Sequence, residues 1–448
     1  MTSLLDYWPG RDRREAGQDL TVLLDSPPMD ASVVRRPPFG RSPLVGERGT
    51  DTQRRILAAA LEVFGEVGFA SARVELVTER AGCSRPAFYQ YFSSKDDVFW
   101  ALAGQLGREM VALAERLGRV EPDAAGLDHL TDWIGRFMAL HQHWAPVFAS
   151  FQAASRDHQR EARSSSGVAD RTVVAILRAF GAEESPANAT LGSNLLSVLI
   201  RCSFYAEQAP AATGARPLVE GVAQLFHRIL AGPIEGVNVV RSPPPRRRRV
   251  AIAAPEPTGD DRALRPRGEK TRLRLLDAGA AVLPSRGYHD ARVDDIVVAA
   301  GVSHGTFYRY FDNKDDFFRV LAAAASSRMI DLLDDLRLDA PPDDLRAWLR
   351  RWLAAYEADG GVISTWQEME TNQDLFAFSQ GVAASVFTRL ARMLQKRDFG
   401  NPEVDATTLL ALIERVPYSV YTLRFTTEHD AVENMLRAIR RGFLALPD

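Results

Sequence analysis

The chain has 448 residues, 46% of them hydrophobic, enough to bury core in more than one domain. A formal net charge of −3 excludes a basic field over the whole molecule, so any affinity for nucleic acid must come from local patches. Two cysteines, Cys83 and Cys202, are too few for a disulfide framework, and no collagen-like or fibrous pattern is present.

Residues 1–48 mix proline, arginine and acidic residues without an apolar period and are expected to stay disordered. Their opening, "MTSLLDYWPGRDRREAGQ", holds no uninterrupted apolar stretch, and no membrane-length run follows, so the expectation is a soluble, cytoplasmic, nucleoid-associated protein without a membrane partner. From residue 49 the pattern turns helical. "TQRRILAAALEVFGEVGF" sets Ile56, Leu57, Ala60, Leu61 and Phe64 on one face and predicts a helix ending at Gly68. Helical spacing continues to residue 236. Residues 237–267, with "PPPRRRR" at their centre, predict a mobile linker reaching on the order of 30 Å. The arginine run 246–249 reads either as a solvated stretch or as a basic arm on DNA. A second helical region then runs to residue 448, opening with "TRLRLLDAGAAVLPSRGY", where Pro284 is expected to shorten or kink the first helix. No alternation long enough for a sheet occurs, and the predicted fold class is all-α.

The second region repeats the first. Shifting the chain by 219 residues aligns Arg55–Leu102 with Arg274–Leu321 without a gap, and about 20 of the 48 pairs are identical. A shift of 215 then pairs "LTDWIGRF" (130–137) with "LRAWLRRW" (345–352). The predicted domains are a head at 49–104 and a helical body at 105–236, then a head at 268–323 and a body at 324–448.

Within each head lies a punctuated pattern, "AGCSRPAFYQYFSSKDDVF" (81–99) and "AGVSHGTFYRYFDNKDDFF" (300–318). In the second copy "ARVDDIVVAAG" predicts a short helix stopped at Gly301, a position that tolerates left-handed backbone. Val302 anchors the turn and Ser303 is a natural N-cap. Helix, glycine turn and helix together outline a helix-turn-helix. On the second helices, residues 84–92 and 303–311, Phe88, Phe92, Phe307 and Phe311 are expected inward. Facing outward are Arg85, Pro86, Ala87, Tyr89, Gln90 and Tyr91, and in the second copy His304, Gly305, Thr306, Tyr308, Arg309 and Tyr310. These can donate to base edges and phosphates or let the backbone approach closely. Lys95 and Lys314, ahead of Asp96-Asp97 and Asp315-Asp316, are expected free to reach a phosphate while the acids favour a following helix start.

Both copies resemble the DNA-binding head of the TetR family of bacterial transcriptional regulators, whose pattern AG-x-S-x-x-x-x-Y-x-x-F-x-x-K-x-x-L/F is assigned to Ala81–Phe99 and Ala300–Phe318. The resemblance implies a two-fold regulator, most often a repressor, released from an operator by a small hydrophobic effector. It implies DNA contacts at Arg85, Pro86, Ala87, Tyr89, Tyr91 and Lys95, and at His304, Gly305, Thr306, Tyr308, Tyr310 and Lys314. Gln90 and Arg309, from the outward face, and Ser303, at the N-cap, are added to the expected contacts. Where the family often has a threonine for a phosphate, this chain has Ser71-Ala72-Arg73 and Asp290-Ala291-Arg292, so Arg73 and Arg292 are the expected substitutes.

The first head, with seven bases against eight acids over 47–102, is about neutral, and the second is expected to be the stronger reader. The expected partners are a duplex operator, an effector, and either an intramolecular pseudo-dimer or a second chain. The alternative is a sensor or scaffold in which only the second head binds DNA and the first module serves as dimerisation partner. Aromatics recur at helical spacing in the bodies, and Trp133, Phe137, Phe151, Trp348, Trp352 and Trp366 are the candidates for an apolar pocket. The apolar girths of "LGSNLLSVLIRCSFYA" and "TTLLALIERVPYSVYTLRF" suggest association with a partner module. His141 and His143, two apart, do not make an i, i+4 metal pair, and no constellation reads as catalytic, so neither a metal, nor a cofactor, nor an enzyme activity is expected.

Overall fold

A computed structural model of the chain describes residues 47–155, 159–183, 185–208, 215–232, 266–365, 373–395, 397, 400–421 and 425–446. Nearly all of the expected N-terminal tail and of the expected linker lies outside these residues, and Glu47 and Arg48, placed in that tail, are helical. The chain divides into two compact units, Met1–Ala231 and Gly232–Asp448. Among the described residues the structure is helical and without strands, as the all-α expectation had it. No described helix is long and apolar enough to cross a membrane.

The first unit begins with α1 (Glu47–Ser71), which buries Ile56, Leu57, Ala60, Val63 and Phe64. Its regular backbone is interrupted at Gly68, φ 73° and ψ 157°, the residue at which the sequence predicts an end. Two short helices follow, α2 (Val74–Ala81) and α3 (Arg85–Tyr91), then the long α4 (Lys95–Glu115), capped by Ser94, whose side chain accepts from the Asp97 amide at 3.1 Å. The body consists of α5 (Ala124–His143), α6 (Ala145–Ser155), α7 (Gln159–Ala179), α8 (Pro186–Gln208) and α9 (Ala215–Leu230). α5 packs on α8 and α9, α4 on α7, and α1 on α6. The α8 girth, expected to await a partner, is covered inside its own unit by α5, α7 and α9, leaving every residue of Leu191–Leu199 buried.

The second unit repeats this plan with α10 (Pro266–Asp290), α11 (Val293–Ala300), α12 (His304–Tyr310), α13 (Lys314–Asp334), α14 (Pro342–Thr365), α15 (Gln373–Leu394), α16 (Pro402–Tyr421) and α17 (Glu428–Arg437), closed by a π-helical segment, Ala438–Phe443. α10 runs on to Asp290, past the point where Pro284 was expected to shorten it. Like α8, α16 is mostly sunk in its own unit, with Leu409 and Ala411 fully buried.

Three interactions recur at matching positions of the two units. Trp133 donates its indole N–H to the Leu113 carbonyl at 2.8 Å, and Trp348 does the same to Leu332 at 2.8 Å. Glu109 accepts from the Trp144 indole at 3.0 Å, and the equivalent residues Arg328 and Asp359 form an ion pair, with Nε to Oδ2 at 3.0 Å. Ser94 and Asn313 cap the same helix start. The units differ where chain chemistry demands it. Pro146, which has no amide hydrogen, coincides with the α5–α6 break at Trp144, whereas Gly361 at the matching place lets α14 run unbroken.

Phe307 is fully buried and touches Phe311 and Phe317, each at a ring-centroid distance of 5.4 Å. Phe307→Ala is therefore expected to cost the second unit about 3–5 kcal/mol, read as a lowered urea midpoint with two-state analysis of that unit's transition.

Candidate nucleic-acid interface

The turn between α2 and α3 is built from one left-handed residue and one cap. Gly82 sits at φ 61°, ψ 41° and Gly301 at φ 61°, ψ 43°. Their amides, and those of Cys83 and Val302, reach back to close the preceding helix, with Cys83 N to Thr78 O and Val302 N to Val297 O both at 3.0 Å. Ser84 and Ser303 then accept from the Ala87 and Thr306 amides, each at 3.3 Å. Phe92 and Phe311, extended at φ −135° and −140°, end the helices after seven residues. In the first head Arg80 bonds to Glu66 at 2.7 Å and to Glu62 at 2.9 Å, fixing α2 on α1 and holding the Glu66 carboxyl below its ordinary range. Cys83 is half-buried, and desolvation pushes its thiol up.

Each short helix presents one face to the core and one to solvent. Phe88 and Phe307 are 0% exposed, whereas Tyr89 and Tyr308, the next residues along, are 51% and 54% exposed. Arg85, Pro86 and Gln90 share the open face with Tyr89, and His304, Gly305 and Arg309 share it with Tyr308. Ala87, Thr306, Tyr91 and Tyr310 are half-buried, Tyr310 packing against the core of its head. Arg73 and Arg292 stand exposed at the N-caps of α2 and α11. Each exposed tyrosine, backed by a buried phenylalanine, forms a ridge on its own unit that stays open among the described residues.

Residues 56–102 and 275–321 match the family model described as bacterial regulatory proteins, tetR family. Both heads belong to the tetR family. An uncharacterised helix-turn-helix regulator of Bacillus subtilis, YdgC, is 38% identical over 76 residues, 17% of this chain and 39% of its own length. The transcriptional repressor Rv1474c of Mycobacterium tuberculosis is 29% identical over 140 residues, 29% of this chain and 75% of that protein. The repressor AcnR of Corynebacterium glutamicum is 32% identical over 118 residues, 25% of this chain and 61% of that protein. A solved TerR/AcrR-type regulator from Aquifex aeolicus aligns over 37% of this chain and 95% of its own, at 17% identity and a TM-score of 0.30.

Several side chains of the tetR heads that the sequence reading assigns to DNA have partners within the protein. Lys95, expected free for a phosphate, donates to the carbonyls of Phe69, Ala70 and Ala72 at 2.8, 3.1 and 3.2 Å and lies over the Phe69 ring at 4.7 Å. The C-terminal turn of α1 leaves carbonyls without helical partners, and an ammonium answers both their lone pairs and the helix dipole. Lys314 donates to the Ala291 carbonyl at 3.3 Å, the matching bond. The Ser303 hydroxyl is shared between the Thr306 amide and the Thr306 hydroxyl, 2.9 Å away, so it caps the helix. Arg85 is paired with Glu75 and His304 with Asp294, partners that the sequence reading missed. Their only signal is an acid in the first turn of α2 and α11, which helix-dipole reasoning already explains. Over 266–321, the span equivalent to 47–102, nine bases stand against eight acids, one net positive charge against one net negative in the first head.

The aromatic pocket candidates are packed shut where they are described. Trp133 and Phe137 are buried with rings 5.7 Å apart, Trp348 and Trp352 are stacked at 5.2 Å, and Trp352 donates to the Ile413 carbonyl at 2.8 Å. Phe151 is half-buried with its ring 5.7 Å from Trp100, and Trp366 lies outside the described residues. An open cavity of roughly 620 Å³ lies instead between α4 and α5, where Arg108, Arg116, Arg136, His143 and one acid, Glu109, surround Leu113 and Leu140. His141 bonds Glu207 at 2.7 Å and stacks on Phe148, and among the described residues no three potential metal ligands cluster.

Replacing Lys95 by methionine is expected to lower the melting temperature of the first unit by several degrees, because three carbonyls lose their donor. The salt dependence of DNA binding should stay unchanged, and a shallower slope would restore the phosphate role.

Proposed function

We propose that the chain is a sequence-specific transcriptional regulator that inserts α3 and α12 into the major groove of duplex DNA. The observation carrying this reading is the pair of exposed tyrosine ridges, each raised on a helix short enough to enter the groove and anchored by a fully buried phenylalanine. Contacts to base edges and phosphates are assigned to Arg73, Arg85, Pro86, Ala87, Tyr89, Gln90 and Tyr91, and to Arg292, His304, Gly305, Thr306, Tyr308, Arg309 and Tyr310. The repressors among the relatives support repression as the output. The open faces differ, Arg85-Pro86-Ala87 and Gln90 against His304-Gly305-Thr306 and Arg309, so two heads acting together read an operator of unlike half-sites.

Release by a small hydrophobic effector is the regulatory half of this reading. The cavity between α4 and α5 suits a molecule with an apolar body and an acidic group, since three arginines against one acid, Glu109, surround its leucines. α4 is one helix from Lys95 to Glu115, and Lys95 grips the end of α1, so a shift of α4 carries to the head.

The scaffold reading, in which only the second head binds DNA, draws on Gln90 standing where the second head has Arg309. Footprinting of the full chain separates the two. Tyr308→Ala and Arg309→Ala are each expected to weaken operator binding by about 1–3 kcal/mol, roughly five- to 150-fold, in gel shifts at fixed salt. Tyr89→Ala weakens it comparably if both heads read and leaves it unchanged if the first head is a scaffold. No protected sequence anywhere in a genome would end the proposal.

A further inference from the structure

α2 and α11 each carry an acid in the first turn, Glu75 and Asp294, where the helix dipole alone would account for it. Neither side chain stays there. The Glu75 carboxylate meets the Arg85 guanidinium, and the Asp294 carboxylate meets Nε2 of His304. Arg85 and His304 are the first residues of α3 and α12. Both partners differ between the copies, yet the pairing survives, the longer acid with the longer base and the shorter with the shorter. Both pairs are open to solvent, with side-chain exposures of 58% and 46% in the first and 52% and 68% in the second, so they add little to stability. On a surface that approaches phosphates, a carboxylate also weakens binding.

We propose that Glu75 and Asp294 are specificity-determining residues. Each carboxylate occupies the donor of its reading residue and keeps it from bonding to phosphates at any sequence. A base edge that offers well-placed acceptors, such as guanine O6 and N7 for Arg85, displaces the acid, whereas a lone phosphate competes poorly. This inference rests on the function proposed above. The two acids are positioning residues that act through Arg85 and His304.

The test uses the full chain, the footprinted operator and a scrambled duplex of equal length, titrated from 50 to 200 mM salt. Glu75→Gln and Asp294→Asn are expected to raise affinity for the scrambled duplex and to lower the operator-to-scrambled ratio, and Glu75→Gln, which frees the always-charged Arg85, to steepen the salt slope by about 0.9. For Glu75→Gln that slope makes the gain shrink about 3.5-fold across the fourfold salt range. The Arg85→Gln and His304→Gln backgrounds decide the mechanism. If the acids act through their partners, Glu75→Gln has no effect beside Arg85→Gln, nor Asp294→Asn beside His304→Gln. A gain that persists there reduces the acids to general repulsion and overturns the proposal. So does an unchanged ratio in variants that melt like the parent. If the unaltered chain binds the operator while the ratio stays fixed, this inference alone falls. If it binds no duplex, the reading beneath it falls as well.

Discussion

The geometry of both heads depends on one backbone conformation, the left-handed residue that ends the helix before the turn. Adding a side chain at Gly82 or Gly301 strains the backbone, because an L-residue at φ near 61° sets its Cβ against the following carbonyl. From that residue the chain has room for one half-buried side chain and one serine cap before the next helix starts. The direction of α3 and α12 follows, and with it the depth of Phe88 and Phe307 and the outward set of Tyr89 and Tyr308. The ridge is thus a consequence of a turn, held by packing beneath it.

Local chemistry explains what was readable in the residues. The glycine stop, the serine cap, the inward phenylalanines and the outward tyrosines all depend on neighbours within a turn or two of helix, and each stands where spacing placed it. The repeat was legible because the two copies keep the residues that such local rules need. What escaped is tertiary. Lys95 resembles a solvent-facing base until α1 is seen to end beside it, 23 to 26 residues earlier in the chain. The indoles of Trp133, Trp348 and Trp352 resemble pocket walls until each is found donating to a carbonyl of another helix. The break between α5 and α6 shows both sides of this. Pro146 marks it, but only the unbroken α14 shows what the same segment does without a proline.

Conserved packing and divergent surface divide the duplicate between them. Beneath the surface the copies repeat the indole-to-carbonyl bond and the lysine that closes the first helix. Where pairs changed, they changed together, as in Glu109 with Trp144 against Arg328 with Asp359. Trp144 and Asp359 are the buried members of these pairs, and a buried polar group left without its partner is costly, so one partner cannot drift alone. The open faces carry no such coupling to the core, and there Gln90 and Arg309, or Pro86 and Gly305, have been able to diverge without disturbing a fold.

Covalent linkage of the two units has a consequence for gene dosage. Unlike readers made as separate polypeptides mix statistically, and half of all pairs formed from equal amounts of two chains are unlike only when every combination associates equally well. Joined through one main chain, the tyrosine ridge beside Arg85 and the one beside His304 leave the ribosome in a fixed one-to-one ratio. Neither promoter strength nor messenger decay can alter that proportion. Inheritance follows the same rule, since a single locus transmits both surfaces together.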